Sequence, residues 1–315
     1  MYEPSGSWVA IATPFKEDET VNFDVFEQIV NFHAENGTSA LLVMGSTGEP
    51  TVLELDERRA IIDRVTRMSR GKLPVFFGTT CGSTRATIAL TRYAEDCGAD
   101  GAVLVVPPYV TPPQDAVYEH FLKVARSVKF PVAIYNNPTR VHVNVDPPTI
   151  ARLNREAPNL YIDKEAMGDV SQLADVLALS DHKVRVLCCD YPKYGLIMPT
   201  LALGGVGIAG ITGNVAPAEL ATLARPWTAD TDLEAVRREY FRLLPLMKAM
   251  YWLPNPVITK AALNLLGFDV GNPRLPIQPF SGPRLEDLEQ IMNTLGLKER
   301  YARWTRRPAL HPVGA

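Results

Sequence analysis

The sequence predicts a (β/α)8 barrel followed by a C-terminal helical subdomain. Short runs of consecutive apolar residues recur eight times, the mark of parallel strands covered on both faces. Between them lie longer amphipathic stretches, and strands alternating with helices imply βαβ units. Eight such units fill roughly the first 225 residues, close to the ~250 typical of this barrel.

The apolar runs fall at residues 8–15, 40–44, 74–78, 101–106, 131–135, 160–162, 184–187 and 206–211. Between the second and third, residues 56–68 put Ile61, Ile62, Val65 and Met68 on one helical stripe. Residues 84–97 do the same with Ile88, Thr91, Ala94 and Glu95. A doubly wound open sheet is the alternative. It calls for Gly-x-Gly-x-x-Gly after the first strand, where this chain has Thr13-Pro14-Phe15-Lys16.

After about Arg225 the alternation stops, which divides the chain into a barrel over 1–225 and a helical subdomain over 226–315. Helices are expected at 233–252, 257–266 and 285–295, with Pro254 and Pro256 separating the first two. The end, Lys298 to Arg307, is basic and carries Tyr301 and Trp304. It reads as a frayed, solvated last helix rather than a surface for an acidic partner.

Composition excludes several classes. Of the 315 residues, 46% are hydrophobic, enough for a sizeable core, and the net charge of −3 offers no nucleic-acid footprint. No apolar run approaches a membrane span. The opening Met1-Tyr2-Glu3-Pro4-Ser5-Gly6-Ser7 lacks the basic-then-apolar order of a signal peptide. The four cysteines, Cys81, Cys97, Cys188 and Cys189, have no Cys-x-x-Cys spacing, which argues against a disulfide framework or zinc site and for reduced thiols in the cytoplasm. The five histidines show no ligand spacing, and only His142 falls near the chemistry described next.

In this barrel the active site lies at the C-terminal strand ends. The sixth run ends Leu160-Tyr161-Ile162-Asp163-Lys164-Glu165-Ala166. A lysine there loses part of its hydration, which favours the neutral amine that attacks a ketone; a rim lysine paired with Asp163 or Glu165 is the plainer reading. The fifth run ends Ile134-Tyr135-Asn136-Asn137-Pro138-Thr139-Arg140. Tyr135 can shuttle protons or simply cap the core, and Arg140 suits a carboxylate or a rim salt bridge. The second run ends Met44-Gly45-Ser46-Thr47-Gly48-Glu49, small residues and two hydroxyls that could meet a carboxylate, cradle a phosphate or cap a helix.

Together, Gly45-Ser46-Thr47-Gly48-Glu49, Tyr135-Asn136-Asn137-Pro138 and Asp163-Lys164-Glu165-Ala166 resemble the dihydrodipicolinate synthase / N-acetylneuraminate lyase family, with the likeness running from Thr13-Pro14-Phe15 to Arg274-Leu275-Pro276. The resemblance implies that Lys164 forms a Schiff base with pyruvate and that Tyr135 relays protons at the imine. It implies that Thr47 holds the pyruvate carboxylate, with Ser46 beside it, and links Tyr135 to Tyr109. In the family that second tyrosine reaches a neighbouring subunit's site, which implies at least a dimer and usually a tetramer, a dimer of dimers. Arg140 matches the arginine that receives the aldehyde's carboxylate, and Ala209 lies where a backbone group lines the pyruvate pocket. No metal or organic cofactor is implied.

Three positions depart from the synthase pattern: Ser46 where threonine is usual, Val141-His142-Val143 where Thr-Gly is usual, and Cys188-Cys189-Asp190 in place of a Ser-Gly-Asp run. They leave the pyruvate half intact and bear on the second substrate. The leading expectation is condensation of pyruvate with aspartate semialdehyde. The alternatives are an aldolase or dehydratase of a 2-keto-3-deoxy sugar acid, a sialic acid lyase, or a ligand-binding barrel without turnover. The stretch Gly82-Ser83-Thr84-Arg85-Ala86-Thr87 carries no acid where lysine-sensitive family members have a glutamate, so the chain is expected to be insensitive to lysine.

Overall fold

A computed structural model describes residues 2–305 of the chain. Eight parallel strands close into a barrel in chain order: β1 Gly6–Ala10, β2 Ala40–Val43, β3 Val75–Gly78, β4 Gly101–Leu104, β5 Val132–Asn136, β6 Ile162–Glu165, β7 Arg185–Cys188 and β8 Gly207–Gly210. β8 returns to β1 with Ala209 opposite Trp8. Around them lie α1 Phe23–Glu35, α2 Leu55–Ser69, α3 Thr84–Asp96, α4 Gln114–Ala125, α5 Pro138–Val141, α6 Pro147–Glu156, α7 Val170–Leu179, α8 Ile197–Ala202 and α9 Pro217–Leu223. The C-terminal helical part comprises α10 Leu233–Ala249, α11 Val257–Leu266, α12 Arg284–Thr294 and α13 Leu297–Thr305. Among the described residues no helix is long and apolar enough to cross a membrane.

The barrel is filled rather than hollow. The Trp8 and Phe76 rings pack with centroids 4.5 Å apart, and both are sealed from solvent. Gly101 makes this possible, because a Cβ there would stand 2.3 Å from the Phe76 ring. Outside, Leu153, Leu173, Val176 and Val186 belong to an apolar layer between the sheet and its helices. Such close packing leaves strand ends little freedom, and side chains mounted there are held in place.

The structure moves some expected boundaries. The first apolar run, 8–15, is a strand only to Ala10; Ile11 to Phe15 stay buried as irregular chain over the mouth, with Phe15 bridging back to Val21. The sixth run was expected at 160–162, but the strand is Ile162–Glu165, because three charged residues continue it while fully enclosed. In α3 the buried stripe is Thr87, Leu90, Thr91 and Ala94. Glu95 is not part of it; its carboxylate instead accepts the Lys129 and Phe130 N–H groups at 2.6 and 2.9 Å.

The largest correction concerns the basic end. α13 is docked, not frayed. Tyr301 is 1% exposed, donates to Glu219 Oε2 at 2.6 Å and meets the edge of Phe32 at 5.1 Å between centroids. Arg300 pairs with Glu219 Oε1 at 2.8 Å. Arg300 and Tyr301 thus meet a buried acid of α9, while Lys298 and Arg303 pair with Glu289 and Glu35, which composition alone does not reveal. Arg306 and Arg307 lie outside the described residues.

Candidate active site

Lys164 stands on β6 with Tyr135 beside it on β5 and Leu187 on β7. Strand alternation separates it from its acidic neighbours. Glu165 turns to the helical layer, where Gln172 of α7 donates to it at 2.9 Å and the Asn136 amide lies 3.2 Å from both carboxylate oxygens. Lys164 is therefore not a rim lysine paired with those acids. Its ammonium lies 4.2 Å from the Tyr135 ring centroid and its side chain is buried. Burial holds its pKa below the ordinary lysine value, Cys189 and Asp190 oppose that shift, and Arg140 adds to it.

The amine opens into a cavity of about 420 Å3 lined by Ser46, Thr47, Tyr135, Arg140 and Lys164 among others. A more apolar space of about 240 Å3, with Val103, Val105 and Ile277 in its wall, adjoins it and shares Ser46, Tyr135, Asn137, Arg140 and Asn255. Five of the seven residues singled out in the sequence thus meet at one place. Arg140 is exposed at the rim, in the short α5 that follows β5. Of the other two, Ala209 is buried beneath, and the wall there is made by Gly210 and Ile211, one and two residues further along. Tyr109 lies apart, 95% exposed on the loop after β4, with φ 81°. His142 closes α5 in a left-handed conformation and lines neither space.

Within a single chain the hydroxyls have the following partners. Thr47 accepts a hydrogen bond from Asn255 Nδ2 at 2.7 Å. Within this chain its contact is to the turn before α11, and Tyr109 is not part of it. Accepting from an amide leaves the Thr47 proton free to be donated into the cavity. The Tyr135 phenol oxygen accepts from Asn137 Nδ2 at 2.7 Å. Burial pushes this phenol well above its ordinary value and Cys189 adds to that, while Arg140, Asn137 and Ser46 pull the other way.

A third group centres on Asp190, which stands in the sequence only as the end of the Cys188-Cys189-Asp190 run. Asp190 accepts from the Ile211 and Thr212 N–H groups at 2.9 and 2.7 Å and from the Tyr251 hydroxyl at 2.5 Å. The Cys189 thiol lies 3.4 Å from the same hydroxyl. Gly210 is needed here, because a Cβ at that position would stand 2.1 Å from the Asp190 carboxyl carbon. The signal for Asn255 is its place between Pro254 and Pro256, which fix a turn as well as break a helix. Tyr251 gave no such signal, since it reads as the end of α10. Among the described residues no group of three or more His, Cys, Asp or Glu side chains could hold a metal ion.

The profile described as the Dihydrodipicolinate synthetase family matches residues 3–295. The chain belongs to that family. It is 36% identical over 292 residues to the 4-hydroxy-tetrahydrodipicolinate synthase of Methanocaldococcus jannaschii, covering 93% of this chain and 99% of that one. It is also 36% identical over 287 residues to the 4-hydroxy-tetrahydrodipicolinate synthase of Nitratidesulfovibrio vulgaris, covering 90% and 97%. The crystal structure of dihydrodipicolinate synthase from Aquifex aeolicus superimposes with a TM-score of 0.88 at 32% identity, covering 93% and 99%. The chloride-inhibited dihydrodipicolinate synthase of Acinetobacter baumannii, solved with pyruvate, gives 0.87 at 31% identity with the same coverage. The dihydrodipicolinate synthetase family thus spans the barrel and most of the C-terminal helices.

Proposed function

We propose that this protein condenses pyruvate with aspartate semialdehyde, the activity of a 4-hydroxy-tetrahydrodipicolinate synthase, through an imine on Lys164. One observation carries the reading: a buried lysine amine, held below its ordinary pKa, stacks against the Tyr135 ring in a cavity that Arg140 borders. The neutral amine adds to the pyruvate ketone, and the carbinolamine loses water with Tyr135 supplying and recovering the proton. Thr47 and Ser46 donate to the pyruvate carboxylate. Loss of a methyl proton gives an enamine, which attacks the aldehyde carbon and forms the new carbon–carbon bond. Arg140 receives the carboxylate of the semialdehyde. The amino group of that partner then adds to the imine carbon, closes the ring and expels Lys164 as the free amine.

The reading extends to assembly. Tyr109 and its neighbour Val110 expose 95% and 56% of their surface on a loop at the barrel mouth, which suits a tyrosine supplied to a second copy. The active unit in this reading is a dimer or a dimer of dimers.

The test is covalent. Pyruvate plus borohydride is expected to add one reduced pyruvyl group, mapped to Lys164, and to leave Lys164→Ala unlabelled. A panel of aldehydes offered with pyruvate, with products identified, then tests the partner. Equal labelling of Lys164→Ala would overturn the reading.

A further inference from the structure

The Tyr135 phenol is reached from the rim by a line of hydrogen bonds made within one chain. Tyr194, in the loop after β7, lies 2.9 Å from the Thr139 hydroxyl. Thr139 donates to Asn137 Oδ1 at 2.7 Å, and Asn137 Nδ2 donates to the Tyr135 oxygen at 2.7 Å. Asn137 and Tyr135 are only 4% and 7% exposed, so the bond between them is sheltered from bulk water.

An amide N–H can only donate. The phenol oxygen must accept at that contact, and its own proton has to point elsewhere. The amide turns its carbonyl to the Thr139 hydroxyl, and Thr139 meets Tyr194 in turn. The phenol opens on the cavity it shares with Lys164 and Ser46. The charged and titratable groups that bear on it are Lys164 on β6, Cys189 after β7, Arg140 after β5 and Tyr194 after β7.

We propose that Asn137 is a positioning residue for Tyr135, fixing the phenol so that its proton serves the chemistry at Lys164, with Thr139 and Tyr194 as its brace. This rests on the reading of Lys164 as the imine-forming residue. It adds a device, internal to the chain, that works without the Tyr109 of a second copy. An N–H aimed at the oxygen also favours the phenolate, so removing it makes the proton harder to release.

The test uses a partial reaction that needs no aldehyde: exchange of the pyruvate methyl protons for deuterium, followed by NMR, with borohydride trapping on the same samples. Wild type is expected to exchange and to trap at Lys164. Asn137→Leu should exchange about three- to tenfold more slowly, the scale of one hydrogen bond, with trapping intact. Tyr135→Phe should exchange more slowly still, and adding Asn137→Leu to it should cost nothing further, because the amide acts through the phenol. Thr139→Val should slow exchange in the same sense by less. Wild type that fails to trap would overturn the imine reading. Normal trapping with unchanged exchange in Asn137→Leu, or an equal loss in the Tyr135→Phe background, would overturn the role of Asn137 alone. If Asn137→Leu does not fold, Thr139→Val decides by the same measurements: slowed exchange that disappears in the Tyr135→Phe background supports the proposal, and unchanged exchange overturns it.

Discussion

The Lys260 ammonium lies 2.7 Å from the Glu49 carboxylate, and neither side chain exposes more than 1% of its surface. Glu49 ends the turn that carries Ser46 and Thr47, and its other oxygen accepts the Arg274 N–H at 2.9 Å. Lys260 also donates to the Asn272 carbonyl at 2.9 Å. The turn at the cavity is thereby tied to α11 and to the chain that follows it.

Burial lowers Lys260 to a pKa of about 8 in spite of that partner, so the pair is enclosed at a cost. Lys260→Met strands the carboxylate and is expected to destabilise the fold by about 3–5 kcal/mol and to raise the pyruvate KM. Glu49→Gln combined with Lys260→Met should recover much of the stability. Urea unfolding checks both, and a single variant as stable as wild type would refute the account.

Asp163 is fully buried, and neither carboxylate oxygen meets a hydrogen-bond partner among the described residues. Burial, and then Glu165, push its pKa well up. A carboxyl raised on folding contributes most stability below its unfolded value, and loses it as pH climbs through the folded one. Asp163→Leu should therefore stabilise the protein by about 1–3 kcal/mol at alkaline pH and by less in acid. Unfolding at pH 5 and pH 9 measures the difference; a variant weaker than wild type at pH 9 would show that the carboxylate is needed.

Arg140→Ala should weaken use of the aldehyde by roughly 1.5–3 kcal/mol, the worth of a charge-assisted bond, while pyruvate is little affected. Steady-state kinetics with each substrate varied separate the two. Equal damage to both Michaelis constants would make Arg140 a general support of the loop.

Lysine should not inhibit. Arg58 on α2 is 8% exposed and donates to the Gly78 and Thr80 carbonyls at 3.1 and 3.0 Å. A cation already sits against the start of α3, where the sequence offers no acid to receive a second ammonium. Rates measured at increasing lysine, with pyruvate near its KM, test this; saturable inhibition below millimolar lysine would mean a pocket built from other residues.

A variant that cannot associate should fold yet lose most of its activity, because Tyr109 would have no neighbour to serve. Light scattering coupled to size exclusion, with assays on the same fractions, checks it. An active monomer would remove Tyr109 from the reaction.

The barrel was legible in the sequence because parallel strands buried on both faces leave unbroken apolar runs. β6 shows the limit of that signal, since Asp163, Lys164 and Glu165 are charged and yet enclosed. Positions that line the cavity were legible where a strand sets the side chain, as at Lys164 and Tyr135. Asn255 and Tyr251 come from beyond the barrel, more than 40 residues after β8, and only the packing of the C-terminal helices brings them to the cavity. The docking of Tyr301 was hidden for a similar reason: its partner Glu219 is 82 positions away.

The alternation along β6 makes the chemistry a matter of parity. Lys164 lies between two acids that face the opposite way, so every inward position is one step from a carboxyl. A single residue inserted or deleted between Leu160 and Lys164 would turn the amine into the helical layer and bring an acid to the cavity. Such a change could leave the barrel standing, yet it would replace the nucleophile with a group that cannot form an imine.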